Sequence, residues 1–359
     1  MDKIIEFLCE FAQIPAPSND EGLRAEYIKN WLENEGAEGV YIDDAQNVVY
    51  PIGNTDGDLY VFMAHSDVVF PDKTPLALEI KDGRIYCPGV GDDSAHVVCM
   101  LSAIKDIIKN KLTPKNCGVI IVVNSGEEGL GNLRGCREIM RVYGDRVREF
   151  ITFDGVYSHP HNKPVGSRRF EVEIKTEGGH SYQAFGNKNA IACMASLIKE
   201  LYSIKVPEIG KTTYNVGVIE GGTSVNTIAQ NAKMMFEFRS DEREALDIMQ
   251  SHFDKAIKNA EGEVTVKVIG DRPCAGNVDM AVQDKMCQRI REIVEKEYGK
   301  QITFIPGSTD CNVPSSMGIP SVCVGLVDTK GAHTREEYVE IYSLEKGVAI
   351  AKKLIMEKF

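Results

Sequence analysis

The chain has 359 residues, with 41 Lys plus Arg against 53 Asp plus Glu and a formal net charge of −12. Its length suggests two domains at roughly 150 residues each, and 43% hydrophobic with 26% charged residues is globular composition, which excludes a disordered, collagen-like or fibrous chain. The acidic balance argues against nucleic-acid binding, and no apolar run approaches the roughly 20 residues that cross a bilayer. The start, Met1-Asp2-Lys3-Ile4-Ile5-Glu6-Phe7, is charged and amphipathic, unlike a signal peptide. Cysteines are scattered from Cys9 to Cys323 without a C-x-x-C pair, and Cys99, Cys117 and Cys323 lie inside apolar runs. They read as reduced, buried thiols of a cytoplasmic protein and not as zinc ligands.

In chain order, Ser18-Asn19-Asp20-Glu21 is a capping box, followed at helical spacing by Leu23, Tyr27 and Trp31, with Gly36 as the stop. Leu59 to Met63 is a short buried strand, Asp93 to Lys109 a helix, and Gly118 to Val123 and Phe150 to Phe153 two more strands. Short apolar strands between amphipathic helices predict a largely parallel sheet covered on both faces. The middle changes character. Phe170 to Ile174 and Val264 to Val268 alternate strictly, Thr213 to Ile219 and Lys233 to Phe238 are strands, and Asn189 to Leu201 and Asp241 to Lys258 are helices. That predicts an inserted α+β domain. After Arg272-Pro273 the first pattern resumes with a helix from Met280 to Tyr298, a strand from Ser321 to Leu326 and a helix from Ser343 to Lys358. The expected organisation is an α/β domain in two parts, 1–167 and 273–359, around an α+β domain at 168–272.

Polar residues after the strands carry the chemistry. His65-Ser66-Asp67 follows the strand ending at Ala64, and Gly89-Val90-Gly91-Asp92-Asp93 opens the next helix. Asn124-Ser125-Gly126 leads into Glu127-Glu128-Gly129, Asp154 follows Phe153, and His333 lies beyond the strand ending at Leu326. Ligands gather at the carboxyl ends of strands in open α/β sheets. His65, Asp92, Glu128, Asp154 and His333 are therefore expected to converge, each from just after a strand of one sheet. Two imidazoles and three carboxylates suit zinc, cobalt or manganese, and five donors fit two ions that share one carboxylate. Singly, each residue has an ordinary explanation as a turn, a cap or solvated surface. The signal is the set of five.

The order His-x-Asp, Gly-x-Gly-Asp-Asp, Glu-Glu-x-x-x-x-Gly, Asp, then a distant His resembles the M20 family of zinc aminopeptidases, carboxypeptidases and deacylases, over essentially the whole chain. The resemblance implies an α/β/α zinc-peptidase-like catalytic domain split around an α+β, ferredoxin-like domain for dimerisation and lid closure. It implies two divalent ions, zinc or alternatively cobalt or manganese. Asp92 would bridge them, with His65 and Asp154 at one ion and Glu128 and His333 at the other. Asp67 would orient His65 and Glu127 would be the general base. Adjacent Glu127 and Glu128 cannot point the same way, so one can bind metal while the other faces the activated water. Gly178-Gly179-His180-Ser181 resembles the family loop whose His stabilises the oxyanion, in dimeric members across the subunit contact. Gly221-Gly222-Thr223-Ser224-Val225-Asn226 and Phe238-Arg239-Ser240 match segments whose Asn and Arg hold substrate, and a guanidinium can grip a carboxylate through two hydrogen bonds. An ordinary strand-end salt bridge is the alternative for Arg239. Gly307-Ser308-Thr309-Asp310 resembles a substrate-cleft loop, represented by Ser308.

There are departures. Many relatives carry a Lys shortly after the bridging Asp, where this chain has Asp93-Ser94-Ala95, and the small-residue loop after Asp67 is replaced by Val68-Val69-Phe70-Pro71. His96, His159, His161 and His252 match no motif and read as structural or surface residues. The expected activity is amide hydrolysis of di- or tripeptides in the cytoplasm by a homodimer, closest to the tripeptidase-like (peptidase T-like) branch. An N-acyl-amino-acid deacylase is the same-chemistry alternative. A silent metal-binding homologue would be expected to have lost the base or a ligand, and all are present.

Overall fold

The computed structural model describes residues 2–359, so Met1 of the charged start lies outside the described residues. By internal contacts the chain divides into two compact units, Met1–Pro164 with Ala275–Phe359, and Val165–Cys274.

The first unit is built on an eight-stranded sheet. Its centre is four parallel strands in the order Gly118–Asn124, Leu59–His65, Val147–Phe153, Ser321–Val324. Antiparallel Val48–Gly53 flanks one side, and short strands at His161–Pro164 and Ile305–Gly307 complete the other. Successive strand residues face opposite ways, and both faces are apolar. Phe62, Val119, Ile121, Ile151 and Val322 pack one way with Phe11, Ile28, Val97, Ile290 and Leu354. Val61, Met63, Ile120, Val122 and Cys323 pack the other way with Cys136, Ile139 and Met140 of the helix Arg134–Tyr143. The result is an α/β/α sandwich.

The second unit is an antiparallel sheet in the order Thr212–Gly221, Asn231–Ser240, Gly166–Lys175, Glu263–Arg272. Helices Ala190–Leu201 and Arg243–Asn259 cover one face. In chain order this is β-α-β-β-α-β, the ferredoxin-like arrangement. Ala232, Met234, Phe236 and Phe238 alternate inward along one strand, and Phe236 stacks on Phe253 with centroids 5.6 Å apart.

Two local expectations need correction. The capping box does not form. The helix runs Gly22–Asn34 after Glu21, with no side-chain cap. Ser18 Oγ donates instead to Asp67 Oδ2 at 2.7 Å, and the buried Glu21 carboxylate accepts from the Asn19 and Gly126 N–H groups and pairs with Arg134. Charged and backbone partners brought from distant segments outcompete the local cap. The single helix expected over 93–109 is three pieces, a five-residue π-turn at Val90–Ser94 and helices Ala95–Ala103 and Lys105–Lys109. The break falls at Asp92, whose φ of −121° and ψ of 85° are not helical, beside Asp93, whose buried Oδ2 accepts the His65 backbone N–H at 2.9 Å.

Candidate metal centre

The parallel strands end together. His65 pairs with Asn124, and Phe153 with Val324, at the carboxyl edge of the sheet. His65 is the last residue of its strand, and Asp154 follows Phe153, its N–H donating to the Val324 carbonyl at 3.3 Å. After Asn124 the chain turns at Gly126, whose φ of 61° lies in the left-handed region that glycine adopts freely. Asp67, fully buried, then fixes both acids that follow. Its Oδ1 accepts the Glu127 N–H at 2.9 Å and its Oδ2 the Glu128 N–H at 3.0 Å.

Asp92 and His333 do not come from this sheet, which corrects the expectation that every donor follows one of its strands. They belong to a smaller four-stranded sheet. Asp92 lies in the turn after Arg84–Tyr86, and His333 lies between Thr329–Lys330 and Tyr338–Glu340. Antiparallel pairing of Tyr338 with Tyr86 brings the two segments together across some 250 residues of chain. His333 has a φ of 65°, which side chains other than glycine seldom adopt outside constrained sites.

All five expected donors meet. The Asp92 carboxylate stands between two imidazoles, Oδ1 at 3.0 Å from His65 Nε2 and Oδ2 at 3.2 Å from His333 Nε2, which also lies 3.0 Å from Glu128 Oε1. Donor atoms of His65, Asp92 and Asp154 lie within 4.8 Å of one another, as do those of Asp92, Glu128 and His333. Asp92 is common to both sets. A further grouping of His65, Glu127 and Glu128 satisfies the same spacing. Carboxylate oxygens and imidazole nitrogens without a thiolate fit zinc, cobalt or manganese, and two sets with one shared carboxylate fit a pair of ions. The His65 ring is oriented for this. Its Nδ1 is 3.2 Å from the Asp67 carbonyl and 3.4 Å from Asp67 Oδ1, so the ring proton belongs there and Nε2 keeps its lone pair.

The electrostatics ask for a cation. Burial, then the neighbouring Asp92 charge, raises Glu128 to about 7 and lifts Asp154 well above the usual carboxylate range. Burial opposes a charged His65, yet Asp93, Asp67 and Asp92 hold its pKa well above normal. Hydrogen bonds to Asp92 and Glu128 raise His333 to about 11. Burial disfavours so many adjacent negative charges, and a proton or a divalent cation relieves them.

Sequence reasoning missed two acids. Asp310 is buried, accepts from Asn124 Nδ2 at 2.8 Å, and is raised to about 8 by burial and by the charge of Glu127. The signal was present, since Asp310 closes the same loop that drew attention to Ser308. Glu337 is wholly buried and accepts three backbone N–H groups of the Gly89–Asp92 turn. In the sequence Glu336-Glu337 looks like any solvated acidic pair. His96 is structural: it is buried, with Nδ1 at 2.6 Å from Asp93 Oδ1 and 3.0 Å from the Gly91 carbonyl.

His180, Asn226 and Arg239 lie in the second unit, and Ser308 in the first, half-buried. His180 ends a two-residue strand paired antiparallel with Thr227, and the Ser181 N–H donates to the Asn226 carbonyl at 2.9 Å, so the two loops are joined side by side. His180 Nδ1 accepts the Tyr182 N–H at 3.3 Å, leaving the ring proton on Nε2. Arg239 makes a two-pronged contact with Glu237, at 2.9 and 3.0 Å.

An imidazole and carboxylate cluster gathered from the carboxyl edge of a parallel sheet and from a second, smaller sheet is a centre suited to metal-dependent hydrolysis. The particular group follows from the family comparison: the chain belongs to peptidase family M20/M25/M40, whose model matches residues 61–357. Among curated relatives, succinyl-diaminopimelate desuccinylase of Rickettsia rickettsii is 22% identical over 95% of each chain. A tripeptidase structure from Staphylococcus aureus is 23% identical with a TM-score of 0.75, over 99% of this chain and 98% of that one. A Bacillus subtilis structure described as a dinuclear metal binding peptidase from the M20 family has a TM-score of 0.66 at 17% identity, over 100% and 99%.

Proposed function

We propose that this chain removes residues from di- or tripeptides at a centre holding two divalent ions, zinc by choice, with Asp92 as the bridging donor. The carrying observation is that Asp92 belongs to both donor sets, with one oxygen toward each imidazole. His65 and Asp154 complete one set and Glu128 and His333 the other. Bound ions supply Lewis acidity, which polarises a carbonyl and makes a water acidic enough to give up its proton near neutrality. Glu127 takes that proton and passes it to the leaving amine. Asp67 keeps the base and its neighbour in place through their N–H groups and keeps His65 in the right tautomer. His180 Nε2–H supplies a donor for the oxyanion, Asn226 and Ser308 bind substrate backbone, and Arg239 binds a substrate carboxylate once it shares its grip on Glu237.

A homodimer through the Val165–Cys274 unit fits an exposed sheet edge. The strand Thr212–Gly221 has one open side, Ile219 is 55% exposed, and Ile191 on the adjacent helix is 43% exposed. An open edge with apolar neighbours invites a second chain. All ten cysteines are free thiols, in keeping with a reducing cytoplasm. No helix among the described residues is long and apolar enough to cross a membrane.

A second reading, N-acyl-amino-acid deacylation by the same chemistry, is favoured by the desuccinylase relative. Zinc- or cobalt-loaded protein given free di- and tripeptides, N-blocked peptides and N-acyl amino acids, with products read by mass spectrometry, separates the two. Cleavage of free tripeptides supports the peptidase reading. Turnover of N-acyl amino acids alone replaces it with the deacylase.

A further inference from the structure

We propose that Glu337 is the positioning residue for Asp92, and that it ties the loop carrying His333 to the turn carrying Asp92 so that both ion positions depend on it. The proposal rests on the metal reading above and adds a residue outside the ligand set.

Glu337 is wholly buried, and among the described residues no Lys, Arg or His forms an ion pair with it. Both carboxylate oxygens are taken by backbone. The Gly89 N–H donates to Oε2 at 2.7 Å, and the Gly91 and Asp92 N–H groups donate to Oε1 at 2.8 Å each. Buried N–H groups that lose such partners have no water to replace them, so these bonds are costly to break. They converge on a turn that regular structure does not hold. Gly89 has a φ of 75°, and Asp92 has φ −121° and ψ 85°, outside any helix. One of the three donors is the N–H of Asp92 itself, so the carboxylate fixes the backbone from which the shared donor projects.

Glu337 also belongs to the segment that supplies His333, four residues away. The other end of that segment closes on the same turn. A Cβ on Gly91 would lie 1.8 Å from Thr329 Oγ1, and Thr329 Oγ1 donates to the Tyr338 carbonyl at 2.8 Å. The His333 loop therefore clamps the Asp92 turn from Thr329 on one side and Glu337 on the other. Through Glu337, two donors separated by some 240 residues in sequence are held by one structural element.

The distinguishing consequence is which ion suffers. His333 belongs to one donor set and Asp92 to both. Losing His333 should cost one equivalent, and loosening Asp92 should weaken both. Glu337→Gln is nearly isosteric, but its amide NH2 cannot accept, so at least one backbone N–H loses its partner. Wild type, Glu337→Gln and His333→Ala are titrated with zinc against a competing chelator and with cobalt by absorption, and melted without metal. Wild type should bind two equivalents. Glu337→Gln should bind both about 10–100-fold more weakly, the usual loss for a residue that orients a ligand, with an altered cobalt spectrum, and His333→Ala should lose one. A folded Glu337→Gln with wild-type affinities and cobalt spectrum overturns the proposal, even if it melts lower, because its role is then only structural. If Glu337→Gln does not fold, hydrogen exchange in metal-free wild type decides. Slow exchange at Gly91 and Asp92 supports a turn built before metal arrives, and exchange at the rate of exposed loops overturns it. Wild-type protein that binds no metal overturns the metal reading itself, a different result from any of these.

Discussion

Glu127 and Glu128 show how adjacent, chemically identical side chains are given different work. One carboxylate, Asp67, holds both backbone N–H groups, so neither residue can turn without the other. Glu128 is drawn to His333 at 3.0 Å and its pKa is pushed up to about 7 by burial and by Asp92. Glu127 is equally buried, and its charge is one cause, after burial, of the raised pKa of Asp310. Glu127→Gln should therefore keep both metal equivalents and lower turnover by about 10²–10⁴-fold, the usual worth of a general base. Glu128→Gln should lose affinity for one ion. Metal content by mass spectrometry alongside kcat tests the split, and metal loss of the same size in both variants would reverse or abolish the assignment.

At the level of elements, the centre joins a rigid edge to a clamped turn. The four parallel strands deliver His65, Asp154 and the Glu127-Glu128 pair from a sheet packed on both faces. The Gly89–Ser94 turn is instead held by individual contacts, Asp93 with the His65 N–H, Ser94 with Arg24 and the Gly89 carbonyl, and Thr329 and Glu337 from the His333 loop. Gly91 is where those contacts leave no room. Gly91→Ala would place a methyl 1.8 Å from Thr329 Oγ1 and 2.6 Å from its Cβ, a separation that real atoms do not tolerate. The turn must move, and Asp92 with it. We expect Gly91→Ala to bind both ions at least about 10-fold more weakly, in line with the loss of other residues that orient a metal ligand. The far-UV circular dichroism should barely change. Wild-type metal affinity in that variant would show that the turn has slack the packing does not suggest.

For the whole molecule, the charge at the centre predicts how pH and metal act on stability. In metal-free protein, Glu128 sits at about 7, and Asp310 and Glu337 at about 8, against an unfolded value of about 4. His333 sits at about 11 against about 6.5, though it is more than half exposed and solvent screens its share. Each binds more proton folded than unfolded across its interval, so stability falls as pH rises. Asp67 and Asp92 are shifted down and act only below about pH 4. Metal-free protein should melt at steadily lower temperature from pH 5 to 9, and zinc or cobalt should flatten or invert that slope because metal replaces the protons. Rising metal-free Tm over that range would contradict the shifts. The dimer proposal has its own test at this scale. His180→Ala and Glu127→Gln are each expected to be inactive. If His180 acts across a two-fold contact, random re-association should restore roughly a quarter of wild-type activity, since about half the dimers are mixed and each has one complete site. No recovery after demonstrated subunit exchange would place His180 within its own chain's site or outside catalysis.

Periodicity and strand-end chemistry were enough to find the sandwich, the antiparallel middle and the donors His65, Glu128 and Asp154, because those depend on local pattern and on where a parallel sheet gathers its loops. Tertiary structure decided what depends on partners far away in sequence. Ser18 abandoned a local cap for Asp67, and the helix expected from Asp93 broke because His65 and Glu337 claimed the turn. Asp92 and His333 reached the centre through pairing in a second sheet that no motif announces. Asp310 and Glu337 are buried by the fold, Asp310 against the Asn124 side chain and Glu337 against three backbone donors, none of which lies near them in sequence. A side chain's type and period are written in its neighbours along the chain, whereas the dielectric around it and the charge facing it are set by residues that only folding brings near.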